Sequence, residues 1–139
     1  MTNKELILDS LIDDDEAFTQ IVEYFDLAAE INISPVEIKM LLEEMYIGGA
    51  NIVKLAVMPK KKQDVLDVLA VTSEFQEENP STPVITMSMG DMGVISRLCG
   101  ESFGSCVTFA AHKQASAPGQ MALEDVSEIL QMIHNSISK

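Results

Sequence analysis

Two cations at unusual points in the chain frame the chemistry it could do. Lys54 lies inside Asn51-Ile52-Val53-Lys54-Leu55-Ala56-Val57-Met58-Pro59, a short β-branched apolar run closed by proline, which is the pattern of a buried strand. Lysine is seldom fully buried without a partner. Apolar surroundings lower its proton affinity, and the neutral amine attacks carbonyls, the first step towards a Schiff base. The alternative is an edge strand whose lysine snorkels to water. Arg97, the only arginine, offers a planar fork that can grip a carboxylate through two N–H groups. Its alternative fate is a surface salt bridge.

The elements that must position these groups alternate between strand and helix. Ser34-Pro35-Val36-Glu37 has the capping-box pattern with proline at the first helical position, and Ile38, Leu41, Leu42 and Met45 follow at helical spacing until Gly48-Gly49. After the lysine strand, the run Lys60-Lys61-Lys62 reads as a solvated helix start. Val65, Leu66, Val68, Leu69 and Thr72 then line one face of a helix from Asp64 to Phe75. Asn79-Pro80-Ser81-Thr82-Pro83 is a loop. Val84 to Met89 reads as a strand, Met92 to Leu98 as a short helix, Cys106 to Ala110 as another strand, and Val126, Ile129, Leu130 and Ile133 mark a closing helix. Upstream, Thr2–Glu5 and Asp13–Glu16 look like acidic helix starts, while Tyr24–Ala28 fits either a short strand or a helix end. Alternation of this kind implies parallel strands joined by right-handed crossovers.

Composition excludes several classes of function. The 139 residues suit one domain with a sizeable core, and the 47% hydrophobic content and mean hydropathy of +0.15 fit a folded globular chain. A net charge of −13 argues against nucleic acid and anionic membranes as partners, and it means that any anionic ligand needs local positive charge. No apolar stretch approaches a membrane span, and Thr2-Asn3-Lys4-Glu5 lacks the basic region of a signal peptide. Cys99 and Cys106 have no metal-ligand spacing. A reduced, cytoplasmic setting without metal follows as the expectation.

Lys54 is followed in turn by Val84-Ile85-Thr86-Met87-Ser88-Met89-Gly90, Ile95-Ser96-Arg97-Leu98, Gly104-Ser105-Cys106-Val107-Thr108-Phe109 and Ala115-Ser116-Ala117-Pro118-Gly119-Gln120. In this order and spacing the series resembles the C-terminal half of type I 3-dehydroquinate dehydratase, a Schiff-base lyase of the shikimate pathway of aromatic amino acid biosynthesis. The resemblance runs from about Pro35 to the C-terminus and includes the approach Gly49-Ala50-Asn51-Ile52, which leaves residues 1–34 as a divergent N-terminal helical segment. It implies an α/β fold of TIM-barrel type. A full barrel takes roughly 250 residues, so the expectation is half a barrel with parallel strands, residues 35–139. It also implies roles. Lys54 would attack the ketone of 3-dehydroquinate, Arg97 would clamp the substrate carboxylate, and Ser116 and Gln120 would hydrogen-bond the substrate and close over it. Met87 and Phe109, with Met89, would form an apolar wall. No cofactor is implied, since the iminium is the electron sink. Taken alone, methionine and phenylalanine on strands are ordinary core, and Ser-Ala-Pro-Gly-Gln could be an ordinary turn.

The chain departs from the family where it matters for turnover. The family moves the proton with a histidine in a Ser-x-His-Asp-Phe strand ahead of the helix matching Pro35–Met45, whereas Ala28-Ala29-Glu30-Ile31-Asn32-Ile33-Ser34-Pro35 holds none. The family's N-terminal strands, with their substrate-holding glutamate and arginine, also find no counterpart. His112 and His134 are the only histidines; the first is expected in a loop near the site end, the second on the closing helix. Three readings follow: a dehydratase that acts weakly alone or with a partner, a non-catalytic relative that at most binds a carboxylate, and a Schiff-base lyase of aldolase type. Arg97 and the Ser116–Gln120 motif weigh against the last. Half a barrel leaves open edges, so a homodimer or a partner completing the barrel is expected.

Overall fold

The computed structural model describes residues 21–25, as backbone, and 34–138. The helix starts expected at Thr2–Glu5 and Asp13–Glu16, and the stretch from Ala28 to Ile33, lie outside the described residues. In chain order come β1 (Ile21–Phe25), α1 (Pro35–Ile47), β2 (Ile52–Val57), α2 (Lys62–Glu78), β3 (Val84–Ser88), α3 (Gly90–Gly93), a 3₁₀ turn (Val94–Arg97), α4 (Gly100–Phe103) and α5 (Leu123–Ile137). The three strands form one parallel sheet in the order β1-β2-β3. Tyr24 and Phe25 therefore end a strand rather than a helix.

Local chemistry sets the helix ends. The Ser34 hydroxyl accepts the Glu37 N–H at 3.2 Å, and Pro35 takes the first helical position, where its missing N–H costs nothing. Gly48 caps the far end, and Gly49, at φ 88°, turns the chain towards β2. Asp64 opens α2 by accepting the N–H groups of Lys60 and Lys61 at 2.8 and 3.1 Å.

Alternation along β2 divides its side chains between two layers. Val53, Leu55 and Val57 join Ile38, Leu42 and Met45 of α1, Val68, Val71 and Phe75 of α2, and Val84 in the main core. Ala56 packs instead with Ile85 and Met87 on the opposite face, against Ile52, Met89 and Phe109. Lys54 belongs to that second face, with Ile52 and Ala56. Within the core layer, the Thr72 hydroxyl lies 2.6 Å from that of Thr86 and 2.6 Å from the Val68 carbonyl, which ties α2 to β3. Phe75 is 0% exposed and sets its ring edge against Tyr46. Phe75→Ala is expected to cost about 3–5 kcal/mol, read by chemical denaturation, through lost burial plus an unfilled cavity.

One expected strand is corrected. Residues 106–110 form no regular strand: the segment touches β3 through a single parallel bridge, Val84 to Ser105. The cause is visible at Thr86, whose N–H donates to the Ser105 hydroxyl at 3.1 Å and not to a main-chain carbonyl, so the ladder stops after Cys106 N–H bonds Val84 O. The short helix α4 was not anticipated. No helix among the described residues is long and apolar enough to cross a membrane.

Candidate functional site

The inner face of the sheet and the loops at its end enclose a cavity of about 260 Å³. Its lining brings together all six residues singled out in the sequence: Lys54, Met87, Arg97, Phe109, Ser116 and Gln120. They come from β2, β3, the 3₁₀ turn and two loops, separated by up to 66 positions (54 to 120) along the chain. Met89, which sequence reasoning placed in the wall, lines it too, with Ala56 and Ala117.

Lys54 is half-buried, with Nζ 4.4 Å from the centre of the Phe109 ring, a cation–π contact. The edge-strand alternative does not hold, because β2 is the middle strand of the sheet. Arg97 is more deeply placed, at 2% exposure. Its Nη1 donates to the Met87 sulfur at 3.4 Å and its Nη2 to the Pro118 carbonyl at 2.9 Å, while Nε has no hydrogen-bond partner among the described residues. Burial lowers the guanidinium's pKa from its ordinary value, yet an arginine stays charged at neutral pH. The site therefore holds a desolvated cation that none of the described acidic side chains neutralises, an arrangement that favours an anionic ligand.

Arg97 is held from behind. The Thr108 hydroxyl donates to the Arg97 carbonyl at 2.7 Å, and the Ser96 hydroxyl accepts the Ser88 N–H at 2.9 Å while lying 2.7 Å from Gly93 O. Gly93 lies so close to β3 that a Cβ there would sit 2.1 Å from the Ser88 carbonyl oxygen, so only glycine allows the turn to bring Arg97 inward. Within the covering loop, Ser116 N–H and hydroxyl reach the Gln120 side-chain oxygen at 2.9 and 3.2 Å.

Neither histidine lines this cavity. His112 is exposed, and His134 pairs with Glu101 at 2.6 Å on the surface. A larger cavity of about 440 Å³ lies beside it, lined by Gly100, Ser105, Cys106, Val107 and Leu130 and sharing Arg97. Its nucleophile is a poor one, since burial raises the Cys106 thiol pKa and leaves little thiolate. Among the described residues no cluster of three or more His, Cys, Asp or Glu side chains is placed to hold a metal.

The family model for type I 3-dehydroquinase matches residues 1–137. The chain belongs to the type I 3-dehydroquinate dehydratase family. Among curated relatives, the 3-dehydroquinate dehydratase of Clostridium novyi is 41% identical over 151 aligned positions, covering 96% of this chain and 60% of the relative. That of Salmonella paratyphi B is 51% identical over 100 positions, covering 72% of this chain and 40% of the relative. Among solved structures, 3-dehydroquinate dehydratase from Geobacillus kaustophilus superposes with TM-score 0.74 at 40% identity, covering 86% of this chain and 44% of that one. The type I 3-dehydroquinate dehydratase of Clostridium difficile, solved with covalently modified comenic acid, gives 0.76 at 41% identity, covering 86% and 46%.

The chain thus spans between 40 and 60% of the length of these curated relatives. The fold is the α/β fold of TIM-barrel type I dehydroquinases in part, with three parallel strands among the described residues. The contact that sequence reasoning missed is Pro118: its main-chain carbonyl accepts from Arg97, and no residue-type pattern marks a main-chain acceptor.

Proposed function

We propose that this chain forms a Schiff base with 3-dehydroquinate and carries the imine half of its dehydration to 3-dehydroshikimate. The observation that carries the reading is a single cavity lined both by Lys54 and by the buried, incompletely partnered guanidinium of Arg97. The substrate offers a ketone to the first and a carboxylate to the second. The Lys54 amine adds to the ketone, water leaves, and an iminium ion results. Loss of the adjacent proton gives an enamine, whose electron pair expels the β-hydroxyl as water, and hydrolysis then frees the lysine. Arg97 holds the carboxylate through charge-assisted hydrogen bonds. Ser116 and Gln120, now bonded to each other, exchange that contact for substrate hydroxyl and carboxylate groups, while Met87 and Phe109 exclude water. In this reading the half-barrel takes in β1 (Ile21–Phe25) together with residues 35–139, and the protein works in the cytoplasm.

Intact-mass analysis after incubation with dehydroquinate and borohydride tests the proposal. A reduced adduct is expected in the native protein and none in Lys54→Ala. An adduct that survives Lys54→Ala, or no adduct in the native protein, would overturn the reading. The second reading, a relative that binds a carboxylate without turnover, has its own support: no histidine lines the cavity. It predicts carboxylate binding without an adduct.

We further propose that a second copy of the chain completes the barrel. Two lengths, each matching 44 to 46% of a solved relative, approach one full barrel. Helix α5 is consistent with this. Leu123, Val126, Leu130, Ile133 and Ile137 recur at alternating three- and four-residue steps, yet only Val126 is buried. Sedimentation is expected to give a dimer that Leu130→Glu with Ile133→Glu dissociates. A native monomer refutes it, and a dimer indifferent to both changes moves the interface elsewhere.

A further inference from the structure

The loop that covers the cavity is fastened at its root and at its tip. At the root, Ala111 N–H donates to Met121 O and Leu123 N–H to Ala111 O, each at 2.8 Å. At the tip, the Pro118 carbonyl accepts two donors at once: Arg97 Nη2 at 2.9 Å and Gly90 N–H at 3.1 Å. Two glycines make that seat possible. A Cβ on Gly119 would lie 2.5 Å from Gly90 O and 2.9 Å from Gly90 N, so the two backbones meet with no space for a side chain. Both residues sit in the left-handed region, Gly90 at φ 74° and Gly119 at φ 84°. The loop's own polar groups bond to each other, with Gln120 Nε2 donating to the Ser116 hydroxyl at 3.0 Å.

Seen from Arg97, the same contact is its one strong acceptor among the described residues. A thioether sulfur is a weak acceptor, and Nε has none among the described residues. We propose that Pro118 is a positioning residue for Arg97. Its main-chain carbonyl, held on Gly90 by the bare contact with Gly119, fixes the guanidinium plane before any ligand arrives. That leaves the Nη protons not engaged by Met87 and Pro118 for a carboxylate. The arrangement lowers the ordering cost of binding, because the side chain is oriented in advance. It rests on the carboxylate-clamp reading of Arg97, but it can fail separately, since the decisive measurement needs neither ligand nor turnover.

Arg97 is the only arginine, so a protein labelled with ¹⁵N-arginine gives one guanidinium spectrum. In the native protein without ligand, separate signals for the two Nη groups are expected, the mark of hindered rotation. Gly119→Ala forces the loop off its seat and is expected to collapse them to an averaged signal. It should also weaken binding of cyclohexanecarboxylate, a simple ring-bearing carboxylate, by about tenfold. Gly90→Ala strains the seat from the other side, meeting only the Met58 sulfur at 3.2 Å, and should give the same collapse. Pro118→Ala keeps the carbonyl and should keep the separate signals. Averaged signals in the native protein overturn the assignment without any variant. Separate signals in a folded Gly119→Ala or Gly90→Ala, or averaged ones in Pro118→Ala, overturn it as well.

Discussion

Arg97→Met is expected to make the protein more stable while removing its affinity for carboxylates. The guanidinium is 2% exposed and has lost most of its hydration, while its hydrogen bonds to protein are one to a thioether and one to a carbonyl. A buried charge so thinly compensated costs several kcal/mol, and replacing such groups by apolar ones of similar volume commonly stabilises. Methionine at 97 would lie beside Met87 and keep the flexible apolar reach that the site accommodates. The bond to Pro118 O would be lost, at about 1 kcal/mol, but that carbonyl retains its second donor, Gly90 N–H. The expected balance is a gain of about 1–3 kcal/mol in denaturant unfolding. The gain should be flat across neutral pH. Burial lowers the folded pKa of Arg97, but the group is charged in both folded and unfolded states there, so its penalty titrates only on the alkaline side. Binding of a carboxylate should fall by about 100-fold, since two charge-assisted bonds go. A variant that is less stable, or that binds unchanged, would show that Arg97 serves the fold and not a ligand.

That trade explains why the site was legible in the sequence to the extent it was. Lys54 and Arg97 stand out because each violates the expectation for its surroundings, a charge within an apolar strand and a lone arginine in an acidic chain. Lys54 was placed in a strand by its short apolar, β-branched run, and α1, α2 and α5 by apolar spacing with clear punctuation at Ser34-Pro35, Gly48-Gly49 and Asn79-Pro80. What failed was of another kind. Cys106–Ala110 has strand composition, but a strand is defined by partners, and Ser105 Oγ takes the Thr86 N–H that a ladder would use. Gly100–Phe103 spans four residues, barely more than one turn, so no period can announce it. The Pro118–Arg97 bond joins a main-chain oxygen to a side chain 21 positions away, and main-chain groups are the same in every residue. Half-exposure of Lys54 was equally hidden, because it depends on how much of the barrel wall stands around it.

Imine formation and turnover are expected to part company in this chain. A base that takes the proton from the iminium typically contributes about 10²–10⁴-fold, and neither histidine lines the cavity. Dehydration should therefore run at least about 100-fold below that of a full-length relative assayed beside it, even as borohydride traps the Lys54 adduct. Free imidazole, small enough for a cavity of about 260 Å³, should restore part of the loss in proportion to its unprotonated form. The acceleration should thus grow as pH rises through the imidazolium's own titration, at about pH 7, and then level off. His112→Ala should leave the residual rate alone, because the residue is exposed and outside the cavity lining. If His112→Ala abolishes the residual rate, the covering loop swings that histidine into the site and supplies the base itself. If imidazole has no effect while the native protein matches its relative, another group among the residues before Ser34, or on a partner, moves the proton.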